Sequence, residues 1–217
     1  MIKMLPKTTK SAVVSLIIIF LLATSGATPG RPIQSSPVKI TIDAGHGGYD
    51  PGAIVSGVTE KSINLQIALR VKELGENHPS LDFVFTRTSD NYVPLLDRLK
   101  YAESQGSSGY VSIQSNSFHD PGVNGIETIL DRTRGRSTAS WNMAETIQES
   151  IVGRTGARDR GIRYQRLYTR HTHVPSAMVE VGFLTSPVER EKLLKSSYQE
   201  AIARGIVQGL LIYVSEL

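Results

Sequence analysis

The chain contains no cysteine, which excludes disulfides and excludes a lipoprotein acylated at a signal cleavage site. Stability must therefore come from packing. It also lacks a bilayer-length apolar run. The stretch from Ala12 to Ala23, interrupted by Ser15, holds only about a dozen apolar residues, against about 20 for a span. Because it follows Lys3, Lys7 and Lys10 and precedes Ser25-Gly26-Ala27, it reads as a secretory signal peptide, residues 1–27, cut after Ala27. The expected product is exported, to the periplasm or the outside, with no membrane span after processing. A basic excess is lacking as well. The formal charge is +4, but three basic and no acidic residues fall in the leader, which leaves 21 basic against 20 acidic residues and a net charge of +1. That balance argues against a nucleic-acid partner, whose phosphates call for a basic face. The arginines between Arg132 and Arg170 are interleaved with Asp131, Glu145, Glu149 and Asp159, the pattern of a solvated mixed-charge face. Internal repeats and low-complexity tails are absent.

What is present suits one domain: 217 residues with 40% hydrophobic content bury one sizeable core but not two. Residues 28–37, rich in Pro, Ser and Gly, form a flexible lead-in, and the domain is expected over 38–217. No room is left in the lead-in for a separate wall-binding module. Strand-like runs at Val38 to Ile42, Phe83 to Thr86, Tyr110 to Ile113, Ile126 to Leu130 and Ala177 to Val181 alternate with helical periods, and a sixth strand is placed near Tyr164 to Tyr168. Helices are expected from Glu60 to about Gly75, Leu95 to Glu103, Ser140 to Val152 and Ser197 to about Val214, with Thr59 as the first N-cap. Ile63, Ile67, Val71 and Leu74 share one face of the first helix, and Tyr198, Ile202, Ile206 and Leu210 share one face of the last. Such alternation predicts an α/β domain: a central, mostly parallel twisted sheet of about six strands flanked by helices.

Four segments carry chemistry. His46 lies in the glycine-rich stretch Asp43-Ala44-Gly45-His46-Gly47-Gly48, just past the first strand, where open α/β sheets place ligands. Glu60 opens the following helix, a position that the helix dipole alone would favour. Gln114 lies at the end of the Tyr110 strand, in Ser112-Ile113-Gln114-Ser115-Asn116. Glu180 lies near the end of a hydrophobic strand, where a carboxylate calls for either an arginine partner or acid/base work.

These segments, with Asp50-Pro51-Gly52-Ala53, Thr86-Arg87-Thr88, Leu96 to Arg98, Gly125-Ile126-Glu127-Thr128 and Val179 to Phe183, resemble the zinc-dependent N-acetylmuramoyl-L-alanine amidases of the Amidase_3 family. The resemblance runs from Val38 to about Val214. It implies a peptidoglycan hydrolase at the cell envelope that cuts the amide between the muramic acid lactyl group and L-alanine. It also implies one Zn2+ held by two histidines and a glutamate. By position His46 and Glu60 match two ligands, and Glu180 matches the catalytic acid/base.

The chain departs from the family where Gln114 stands at an expected histidine. Gln114 then binds through its oxygen, a nearby histidine replaces it, or the site stays empty. His119 is the first substitute to consider, whereas His78, His171 and His173 read as surface residues. The alternative function is a homologue that binds peptidoglycan without cutting it, in a regulatory role. Between the Gly125 strand and the next helix only Asp131 to about Ala139 intervenes, so no long inhibitory lid is expected there. A monomer is expected.

Overall fold

Runs rich in Val, Ile and Phe become the strands, and the 3.6-residue periods become the helices. The computed structural model of the protein describes residues 36–76 and 78–217. The expected signal peptide and the lead-in up to residue 35 lie outside the described residues. The order begins with β1 (Val38–Ala44), the short hairpin β2 (Ile54–Val55) and β3 (Val58–Thr59), and α1 (Glu60–Gly75). It continues with β4 (Leu81–Phe85), α2 (Leu95–Ser104), β5 (Gly109–Asn116), β6 (Ile126–Asp131) and α3 (Ala139–Thr155). It ends with β7 (Asp159–Gln165), a 3-10 turn at Tyr168–His171, β8 (Ser176–Phe183), α4 (Pro187–Leu193) and α5 (Ser196–Ser215).

Six strands form one sheet in the order β4-β1-β5-β8-β6-β7. β4, β1, β5 and β8 run parallel, β6 runs antiparallel to β8, and β7 follows β6. The C-terminal ends of β1, β5 and β8 therefore lie at the same sheet end as the starts of β6 and β7. α1, α3 and α5 pack together on one sheet face over a core of Ile42, Val111, Ile113, Val179, Ile206 and their neighbours. α2 and the 3-10 turn pack against each other and against β1 and β6. Among the described residues no helix is long and apolar enough to cross a membrane.

The sixth strand is Asp159–Gln165, not Tyr164 to Tyr168. It is the sheet edge and pairs with β6 alone, so it carries little apolar alternation to read. Asp131 Oδ2 takes the Leu167 N–H at 2.6 Å where the chain leaves the sheet for the 3-10 turn. Thr59 is the N-cap of α1 but its side chain makes no capping bond. The preceding loop does that work, with Glu60 N donating to Ala53 O and Lys61 N to Pro51 O. α4 has only seven residues, too few to print a period on the sequence.

Candidate active site

The segment between β1 and the hairpin turns back on itself through left-handed backbone at His46 (φ 62°), Gly47 (127°), Gly48 (58°) and Gly52 (63°). Glycine makes three of these inexpensive, while His46 is strained there, a cost usually borne at functional positions. Two buried arginines hold the loop. Arg87 donates to Ala44 O, Gly45 O and Lys61 O at 2.7–3.0 Å. Arg98 donates to Ala44 O at 2.9 Å and His46 O at 2.8 Å, and its charge is met by Asp43 at 2.7 Å. The inward carbonyls of the loop thus find donors without water. Outside, Lys61 and Asp90 brace the turn through Gly48 O and Gly48 N.

This frame presents the His46 ring between two carboxylates. Nδ1 lies 2.9 Å from Asp50 Oδ2, and Nε2 lies 3.3 Å from Glu60 Oε2. The hydrogen bond to Glu60 raises the His46 pKa to about 9, although burial opposes the charge. Burial would raise Asp50, but its bonds from His46 and Gly52 N hold it below the usual range. Glu60 is fixed from behind, its Oε1 accepting from Ser115 N and its Oε2 from Ala53 N, both at 3.0 Å. A side chain at Gly52 would collide with this pair, since an added Cβ stands 2.6 Å from Glu60 Oε2.

Gln114 and Glu180 are register partners on β5 and β8, and Glu127 is the register partner of Glu180 on β6. Partners across a ladder project from the same face, so the three form a row. Glu180 is buried and its Oε2 has no hydrogen-bond partner. Burial, then the charges of Glu60 and Glu127, push its pKa well up, with His46 pulling the other way. Glu127 is neutralised instead, by Arg160 Nε at 2.7 Å and Asn116 Nδ2 at 3.1 Å. The Gln114 carboxamide lies against Gly45, accepts weakly from Asn64 Nδ2 at 3.3 Å and donates to Ser112 Oγ at 3.1 Å.

The residues suit a divalent cation on two grounds. Two ligands of one tetrahedral zinc, with bonds of about 2.0–2.1 Å, stand about 3.3 Å apart, as His46 Nε2 and Glu60 Oε2 do. The far ring nitrogen of His46 is held by a carboxylate, as a metal-ligating imidazole usually is. Among the described residues no three His, Cys, Asp or Glu side chains converge as a metal cage. His119 is exposed and packs on the Phe118 ring at 4.2 Å, without contact to His46 or Glu60. His171 and His173 are exposed, and His78 is bonded to Ser80 N.

Sequence reading brought His46, Glu60, Gln114 and Glu180 to one sheet end. It quoted Asp50, Arg87, Arg98 and Glu127 inside the family blocks but gave them no task. Only the resemblance marked them, because their contacts span up to 55 positions of chain.

A family model described as N-acetylmuramoyl-L-alanine amidase matches residues 40–211. N-acetylmuramoyl-L-alanine amidase LytC of Bacillus subtilis is 34% identical over 175 residues, which are 80% of this chain and 35% of that protein. The sporulation-specific N-acetylmuramoyl-L-alanine amidase of the same organism is 35% identical over 80% of this chain and 67% of its own length. The chain thus spans about a third to two thirds of these curated relatives. Among solved structures, an N-acetylmuramoyl-L-alanine amidase from Clostridium difficile 630 superimposes with a TM-score of 0.79 at 35% identity, covering 83% of this chain and 98% of that one. The catalytic domain of CwlV from Bacillus (Paenibacillus) polymyxa does so with a TM-score of 0.77 at 35% identity, over 82% and 98%. All four are named as amidases and lend no support to a homologue that binds without cutting.

Proposed function

The chain belongs to the N-acetylmuramoyl-L-alanine amidase family, and on that premise we propose that it hydrolyses the amide between muramic acid and L-alanine in peptidoglycan. The observation that carries this reading is the His46–Glu60 pair at 3.3 Å, beside a buried Glu180 with a free carboxyl oxygen. His46 and Glu60 would hold a zinc ion, and the Gln114 oxygen would be the third protein donor. When bound, the zinc supplies a Lewis acid for the carbonyl and brings the pKa of water toward about 7.

Glu180 does the proton work. With a cation held by His46 and Glu60, its carboxyl would ionise more readily than its burial alone allows. The carboxyl then takes a proton from the attacking water and returns it to the leaving alanine nitrogen, so that acid and product amine balance. Asp50 holds His46 by Nδ1, and Ser115 N fixes the Glu60 carboxylate. The Gln114 oxygen, held by a weak bond from Asn64 Nδ2 at 3.3 Å, would be the donor offered to the metal. The leader through Ala27 exports the protein, and residues 38–217 act as a monomer on the envelope, periplasmic or extracellular.

Metal analysis of the purified domain is the test. About one zinc per chain is expected, lost in Glu60→Ala, with Gln114→His holding it more tightly. A domain that takes up no zinc at neutral pH contradicts the mechanism.

A further inference from the structure

The arginine-rich stretch that reads as a mixed-charge face contributes a groove beside the catalytic row. On β6, Glu127, Ile129 and Asp131 alternate onto the face that carries Glu180. Their partners on the edge strand put Arg163 opposite Ile129 and Gln165 opposite Asp131, so both project from that face. An open hollow of about 600 Å³ wraps the sheet edge there, lined by Glu127, Arg160, Arg163 and Gln165 together with Ile162 and Tyr164, which alternate onto the opposite face. The cations differ in state. Arg160 is committed to Glu127 and lies over the Phe183 ring at 4.9 Å. Arg163 is exposed, and among the described residues it has no carboxylate partner.

Strand spacing sets what the groove can reach. Arg163, level with Ile129 and Met178, stands two strands across and two residues along from Glu180, roughly 12 Å between backbones. An extended peptide advances about 3.4 Å per residue. A chain leaving the cleaved amide obliquely across β6 therefore brings its second or third residue within reach of the long Arg163 side chain. Next to the cut it meets Glu127, whose charge is already balanced, and beyond it the unpaired guanidinium and the Gln165 carboxamide.

We propose that this groove receives the stem peptide and that Arg163 binds a carboxylate on its second or third residue, counted from the cleaved amide. The inference rests on the amidase reading for the position of the cut. It makes Arg163 a specificity residue, selecting acidic over amidated stem peptides.

The test uses muramoyl peptides that differ only in carrying a carboxylate or a carboxamide at the second or the third residue. The wild type is expected to favour one carboxylate form by roughly fivefold in kcat/KM, chiefly through KM. In Arg163→Ala that preference falls to about one, and Arg163→Lys restores part of it. Equal rates for acid and amide in the wild type, or a preference surviving in Arg163→Ala, overturn the proposal. Calorimetric titration with the free peptides needs no turnover and separates the two readings. A carboxylate preference in binding without hydrolysis overturns the amidase reading and keeps the groove, whereas hydrolysis without preference does the reverse.

Discussion

Glu180 and His46 are perturbed in ways that can be measured separately. The folded-state pKa of Glu180 lies well above the ordinary 4.5, so the native chain keeps a proton that the unfolded chain gives up. Stability from this group is full below the unfolded value and is lost as pH rises toward the folded one. Glu180→Gln, which cannot ionise, is expected to raise Tm at pH 7, with the gain vanishing toward about pH 4, while activity falls by about 10²–10⁴. Thermal melts across that range check it, and an unchanged or lower Tm at pH 7 counts against a buried, strained carboxyl. With its pKa at about 9, His46 is protonated at neutral pH and zinc must displace that proton. Zinc affinity should rise about tenfold per unit from roughly pH 6 to 8 and level off near 9, as read against a competing chelator. The position of both residues was legible from strand and loop context. Their electrostatics were not, because burial of Glu180 and the approach of Glu60 to both residues arise only in the fold.

At the scale of elements, the loop after β1 depends on two arginines drawn from elsewhere in the chain. Arg98 and Asp43 are both almost fully buried. Arg98→Met leaves the buried Asp43 without its cationic partner and His46 O without its donor, so a loss of about 3–5 kcal/mol in denaturant titrations, together with loss of zinc binding, is expected. Gly209 on α5 and Gly153 on α3 offer a contrast that propensity alone predicts wrongly. A Cβ at Gly209 would stand 2.5 Å from Ile147 Cα on α3, whereas one at Gly153 meets nothing within 4 Å. Gly209→Ala should destabilise by about 1–3 kcal/mol despite the better helix former, and Gly153→Ala should stabilise by up to about 1 kcal/mol. Strands β1, β5 and β8 were readable as short β-branched and apolar runs, because they are buried on both faces, and the long helices by their 3.6-residue period. β7 was misplaced because an edge strand pairs on one side only. The antiparallel run of β6 was hidden because direction leaves no mark on composition.

The whole molecule joins a sheet end carrying His46, Glu60, Gln114, Glu180 and Glu127 to a chain that belongs to the amidase family. The α/β class and the family were both legible, since alternation and ordered motif blocks are properties of the sequence itself. The contact of Gln114 with Asn64 was not, since it exists only once β5 and α1 meet. The central claim is that this arrangement, glutamine included, cuts the bond to alanine. The most direct measurement is the release of alanine amino termini from purified peptidoglycan by residues 38–217 supplied with zinc, followed by labelling and mass spectrometry. The account predicts free stem peptides beginning with alanine, absent with Glu180→Gln. Intact glycan-linked peptides after exposure to zinc-loaded protein would contradict it.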